Sequence, residues 1–143
     1  MTQVQSGAAQ ATASNFSWPV RVYWEDTDAG GVVYHARYLH FFERARTEWL
    51  RAMGFDQQAL RDEHGILFVV SKMTVDYLRP GRLDDSLDVS VELTDLGKVS
   101  MTMEQVIRRG DEPIAKAVVY AGCLDAQSFT ISRIPPFILS ELQ

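Results

Sequence analysis

The sequence predicts an α+β fold, a five-stranded antiparallel sheet wrapped around one long central helix. Two observations carry that expectation. Residues 36–53 repeat their apolar side chains every three or four positions, the period of an amphipathic helix. Most of the chain after Gly65 alternates with period two and is cut by glycine and proline turn signals, the pattern of half-buried strands.

Taken in order, Val20, Val22 and Trp24 alternate with Arg21, Tyr23 and Glu25, which reads as a first strand. Asp28, Gly30 and Gly31 mark a turn. Tyr38, Phe41, Phe42, Ala45, Trp49, Ala52 and Met53 then form the apolar stripe of the main helix, with Glu43, Arg44, Glu48 and Arg51 off it and Gly54 in a C-cap role. Residues 56–63 add a short helical turn before Gly65. Ile66–Tyr77 opens as an apolar run and then alternates until Arg79-Pro80-Gly81 breaks it. Leu87, Val89, Val91 and Leu93 alternate with polar partners. Gly97-Lys98 and Gly110-Asp111 turn the chain into Val99–Ile107 and Ile114–Leu124. One face of the last strand carries Ala115, Ala117, Val119, Ala121 and Cys123, small residues that suggest close packing of a helix. The tail after Pro135-Pro136 (FILSEL) suggests a terminal helical turn. A single helix cannot bury its stripe alone, so the sheet must curl around it. That is the hotdog architecture. It leaves edge strands to be covered, and a second subunit is one solution, so a homodimer or a dimer of dimers is expected.

With 143 residues, the chain fits one domain, and 46% hydrophobic and 23% charged residues are ordinary for a globular protein. Residues 1–17 are rich in Ala, Gln, Ser and Thr without Lys or Arg. They read as a disordered extension rather than a secretory leader, which puts the start of the domain (18–143) near Trp18. Cys123 is the single cysteine, so neither an intrachain disulfide nor a cysteine zinc site can form, which is compatible with a cytoplasmic location. A formal charge of -5 argues against a nucleic-acid footprint but leaves room for a local Lys/Arg grip on one small phosphorylated ligand. No apolar run approaches the roughly 20 residues that span a bilayer, so membrane insertion is not expected.

The chemistry concentrates in Arg21–Tyr38, RVYWEDTDAGGVVYHARY. It sets acidic residues at the end of a strand, then Gly-Gly, then the start of a helix. Unpaired N–H groups and partial positive charge at a helix N-terminus, near His35 and Ala36, suit a developing oxyanion. Asp28 stands a few residues before them, so a carbonyl held there could be attacked by Asp28 itself or by a water that Asp28 deprotonates. A turn-forming carboxylate is the competing role for Asp28. Strand alternation sends Glu25 and Asp26 to opposite faces, so at least one should point to solvent. His35, His40 and His64 lack the spacing of a zincin pair, and no metal site is expected. Cys123 reads as a buried, inert thiol.

The run from Arg21 through Thr27, Asp28 and Gly31 to Val32-Val33, His35 and Tyr38 resembles the signature of the 4-hydroxybenzoyl-CoA thioesterase family. Within it, EDTDAGGVVYHARYLHFFERARTEWLR is similar to the YbgC subgroup, the Tol–Pal-associated acyl-CoA thioesterases, and the likeness continues through FVVSKMTVDYLRPGRLDD. Arg37 departs from the broader signature, which favours a small or amide residue there. The resemblance implies hydrolysis of short- or medium-chain or aromatic acyl-CoA thioesters. Asp28 and His35 would be catalytic, with Gly31, Val33, Tyr34 and Ala36 around the oxyanion and substrate. Lys98 and Ser100 match a region that contacts coenzyme A, and Arg79 and Arg82 are further candidates for its phosphates. No cofactor is implied, since coenzyme A belongs to the substrate. Narrow specificity for 4-hydroxybenzoyl-CoA is an alternative, as is a binding module for acyl carrier protein or a Tol–Pal partner with little catalysis. A hotdog dehydratase fits less well with the T-D-x-x-G core.

Overall fold

A computed structural model of the chain describes Thr12 and residues 15–143. The elements run β1 (Phe16–Arg21), a 3-10 turn (Trp24–Asp26), α1 (Arg37–Ala52), α2 (Gln57–His64), β2 (Ile66–Tyr77), β3 (Ser86–Leu96), β4 (Ser100–Arg109), β5 (Glu112–Asp125) and α3 (Pro136–Leu142). The five strands form one antiparallel sheet in the order β1-β3-β4-β5-β2. This is the expected hotdog arrangement, an α+β sheet around one long central helix.

α1 forms where the sequence places it because its stripe has somewhere to go. Phe41, Phe42, Ala45 and Trp49 are fully buried against alternate residues of the strands: Leu87, Val89 and Val91 of β3, Ile107 of β4, Val119 and Cys123 of β5. α2 starts on an Asp56 side chain that accepts the Gln58 N–H and ends on Gly65 in the left-handed region, φ 65°. The FILSEL tail is helical as α3, and it buries Ile138 and Leu142.

Three expectations shift. The first strand lies earlier than the alternation suggests: Phe16 and Val20 point inward, and the expected boundary near Trp18 falls inside β1. Residues 1–11, 13 and 14 of the expected extension lie outside the described residues. After Val22 the chain leaves the sheet for the 3-10 turn, so Trp24 is 80% exposed instead of continuing the buried face. Finally, α1 lies mainly over β1 and β3, and although Val119 and Cys123 of the small-residue row share its core, Ala121 of that row borders a cavity of about 130 Å³ together with Arg46, Trp49 and Met101.

The register fixes two ends of the sheet. Arg21 faces Ser86, Arg109 faces Glu112 and Tyr77 faces Ala115 at one end. Leu96 faces Met101 and Ile66 faces Asp125 at the other. The two outermost strands are β1, which tolerates Pro19 because an edge needs fewer N–H donors, and the long β2. β2 exposes Val69, Val70 and Tyr77, and its outer edge is free of other strands among the described residues.

Candidate active site

Between β1 and α1 the chain makes an excursion over residues 26–37 at the first end of the sheet. Its base is closed by backbone contacts. Tyr34 N–H donates to the Asp26 carbonyl at 2.8 Å, and Thr27 bridges Val33. Farther out, Asp28 N–H donates to the Val32 carbonyl (2.9 Å) and Gly31 N–H to the Asp28 carbonyl (3.0 Å). Gly31 takes φ 81°, a left-handed value that glycine adopts without a Cβ penalty.

Asp28 sits exposed at the tip of this turn. Its Oδ1 accepts the Gly30 N–H at 2.8 Å, which fixes the carboxylate and leaves Oδ2 with no partner among the described residues. The turn-forming and reactive roles of Asp28 are therefore compatible: one oxygen holds the loop and the other faces out.

The five residues that the sequence sets around an oxyanion are separated in the structure by what their N–H groups already do. Gly31 donates to Asp28, Val33 to the Gly81 carbonyl (2.8 Å) and Tyr34 to Asp26. Only His35 and Ala36 have N–H groups without an acceptor among the described residues, and they stand at the N-terminus of α1, where Ala36 is the N-cap. The first three residues shape the loop and have no hydrogen left to offer.

The His35 ring is exposed beside Tyr34, with ring centroids 4.4 Å apart, and its carbonyl accepts the Tyr77 hydroxyl at 3.0 Å. Next to it lies a cleft of about 280 Å³, walled by Val33, His35, Tyr38, Tyr77, Leu78, Arg79 and Pro80. The Tyr38 hydroxyl accepts the Gly81 N–H at 2.9 Å, and burial pushes that phenol above its usual range, so it stays neutral.

The basic residues divide between the two ends. Arg82 bridges Val32 and so lies beside the Asp28 turn, and Arg79 borders the cleft while its Nε contacts Glu112 at 3.0 Å. Arg109 holds that corner together through Asp85 at 2.6 Å and Glu112 at 2.9 Å; both carboxylates raise its pKa. Lys98 and Ser100 are at the opposite end, where β3 passes into β4. The ten steps from Ser86 to Leu96 along β3 cover about 33 Å, so one chain does not bring Lys98 to Asp28.

Asp26 and Arg37 form a pair that residue pattern alone missed. Asp26 is only 2% exposed, its Oδ2 accepts the Tyr23 N–H at 2.8 Å, and its Oδ1 meets Arg37 Nε at 2.9 Å and Nη2 at 2.7 Å. Glu25 points to solvent and touches Arg37 at 3.3 Å; the two carboxylates diverge as expected, but in a 3-10 turn and not by strand alternation. An arginine two residues after the histidine was the available signal for the pair.

A carboxylate with one oxygen unpartnered among the described residues, and two N–H groups equally unpartnered at a helix start beside a largely apolar cleft, are groups that hydrolysis of an activated carbonyl can use. Known proteins agree with that chemistry. The family model described as "Thioesterase-like superfamily" matches residues 22–142. A Haemophilus influenzae protein named acyl-CoA thioesterase YbgC is 51% identical over 112 residues, 78% of this chain and 82% of that one. An Escherichia coli protein named acyl-CoA thioester hydrolase YbgC is 47% identical over 129 residues, 90% of this chain and 96% of its own. Among solved structures, a probable thioesterase from Bartonella henselae superposes with a TM-score of 0.80 at 37% identity, covering 83% of this chain and 98% of that chain. With matches that span most of both partners, the chain belongs to the thioesterase-like superfamily and, within it, to the YbgC-type thioester hydrolases.

Proposed function

We propose that this protein hydrolyses short- or medium-chain or aromatic acyl-CoA thioesters, with Asp28 as the catalytic carboxylate and the N–H groups of His35 and Ala36 as the oxyanion donors. The observation that carries the reading is that Asp28 Oδ2 and the N–H groups of His35 and Ala36, seven and eight residues later at the start of α1, are all without partners among the described residues. Asp28 either attacks the carbonyl carbon, expelling coenzyme A thiolate and leaving an anhydride that water cleaves, or takes a proton from an attacking water. The imidazole of His35 borders the cleft and is placed to hydrogen-bond the thioester.

A cleft of about 280 Å³ lies just below the range of small-ligand pockets, roughly 300–1,000 Å³. It seats the acyl end alone, and Tyr38 and Tyr77 give it aromatic walls. The pantetheine and nucleotide therefore run along the surface, past Arg79 and Arg82. A homodimer formed by antiparallel pairing of the free β2 edges completes the site. Its two-fold axis brings the partner subunit's opposite sheet end, with its copies of Lys98 and Ser100, toward the Tyr77 end of this subunit. Acyl carrier protein presents its acyl group on the same phosphopantetheine arm and is a second candidate donor. No helix among the described residues is long and apolar enough to cross a membrane, and acyl-CoA is a substrate of the cytoplasm, where we place the enzyme.

The test is thiol release across short, long and aromatic acyl-CoAs and acyl carrier protein thioesters, with Asp28→Asn alongside. Asn keeps the volume and the bond from Gly30 but removes basicity and nucleophilicity. Turnover is expected to fall at least about 10²-fold, with binding of a non-hydrolysable acyl-CoA analogue retained. Near-normal turnover in the folded variant would remove Asp28 from the mechanism.

A further inference from the structure

We propose that Arg37 is a positioning residue for thioester hydrolysis, acting through the buried Asp26 to hold the Asp28 turn against the start of α1. The proposal rests on the reading of Asp28 as the hydrolytic carboxylate. Asp26 is two residues before Asp28, and Arg37 is two residues after His35 and opens α1. Their ion pair therefore clips together the two ends of the excursion that carries the whole reacting constellation.

The geometry makes this clip stiff. Both Nε and Nη2 of Arg37 converge on Asp26 Oδ1, at 2.9 and 2.7 Å, so the planar guanidinium fixes orientation as well as distance. The other oxygen, Oδ2, is held by the Tyr23 N–H, which ties the pair back to the end of the sheet. The Asp26 carbonyl takes the Tyr34 N–H, so a single buried residue anchors strand end, loop return and helix start. Ala36 offers no side-chain cap, and the Tyr77 hydroxyl on the His35 carbonyl and the Tyr38 hydroxyl on the Gly81 N–H hold the other side of the α1 start, so the ion pair secures the side facing Asp26. Among the described residues the Asp28 side chain makes one hydrogen bond, from the Gly30 N–H. Its distance from the His35 and Ala36 N–H groups is thus set by the base of the loop. A misplacement of about 1 Å between reacting groups costs on the order of 10²-fold in rate, so a clip at the base acts on turnover without touching substrate.

Arg37→Ala, Arg37→Lys and Arg37→Gln are compared with the parent for kcat, KM and amide hydrogen exchange over residues 26–34, with Asp28→Asn as the reference. In Arg37→Ala, kcat is expected to fall at least about 10-fold while KM stays within about threefold. The Gly30 and Gly31 amides should exchange faster while the α1 core keeps its protection. Lys restores the charge but not the fork and should recover part of kcat; Gln should recover less. A folded Arg37→Ala with parental kcat, or a loss confined to KM, overturns the proposal. Where Arg37→Ala fails to fold, the Lys and Gln variants decide it: equal, parental kcat in both with unchanged exchange overturns it too. Turnover surviving in Asp28→Asn would instead sink the catalytic reading, while the exchange data would still report whether Arg37 holds the loop.

Discussion

Gly30 shows how tightly the site is drawn at the scale of one residue. A Cβ built there would lie 3.1 Å from Asp28 Oδ1, the oxygen that the Gly30 N–H already holds. Gly30→Ala pushes on the carboxylate itself, and the backbone φ asks for no left-handed conformation that would confuse the result. The expected outcome is a drop in kcat of about 10-fold or more with little change in thermal midpoint, measured by thiol release and calorimetry. Cys123 makes the opposite case. It is fully buried, its Sγ lies 3.7 Å from the Arg133 carbonyl, and burial raises its pKa. A thiol-specific reagent at pH 8 should label it only as the chain unfolds. Above the ordinary thiol range the unfolded chain releases this proton while the fold retains it, so its contribution to stability falls as pH rises there. Rapid labelling of the native protein would contradict this.

At the scale of elements, the loop of Arg79-Pro80-Gly81 meets α1 and the excursion over residues 26–37 at one buried glycine. Gly81 N–H donates to Tyr38, its carbonyl accepts from Val33, and a Cβ would lie 3.0 Å from Val33 Cγ2 and 3.4 Å from the Tyr38 hydroxyl. Gly81→Ala should destabilise the fold by about 1–3 kcal/mol, the range for overpacking, in denaturant titration. An unchanged midpoint would show that the loop gives way freely. Much of this level was legible in the sequence. The stripe from Tyr38 to Ala52 reports its own burial, because a helix turns the same face to the core throughout. The alternation of Val20, Val22 and Trp24 misled, because period two records side-chain direction and not hydrogen bonding; Val22 still bonds Asp85, and the chain then turns away. The candidacy of Asp28 and His35 was readable from a local motif. That Val33 and Tyr34 have no N–H to spare was not, because their acceptors, Gly81 and Asp26, are set by the folded loop.

For the molecule as a whole, the free β2 edge and the two ends of the sheet belong to one problem. An edge of 12 residues with exposed valines invites pairing, and antiparallel pairing about a two-fold axis is what brings unlike ends together. The roughly 33 Å along β3 between the Asp28 end and the Lys98 end then has a genetic consequence. If each site draws its carboxylate from one subunit and its nucleotide grip from the other, two crippled proteins can mend each other. Asp28→Asn subunits mixed and reassembled with Lys98→Glu subunits place both lesions in one site of each hybrid and leave the other site intact. From equal amounts, about a quarter of all sites should regain parental kcat/KM at low acyl-CoA. Each variant alone should remain impaired.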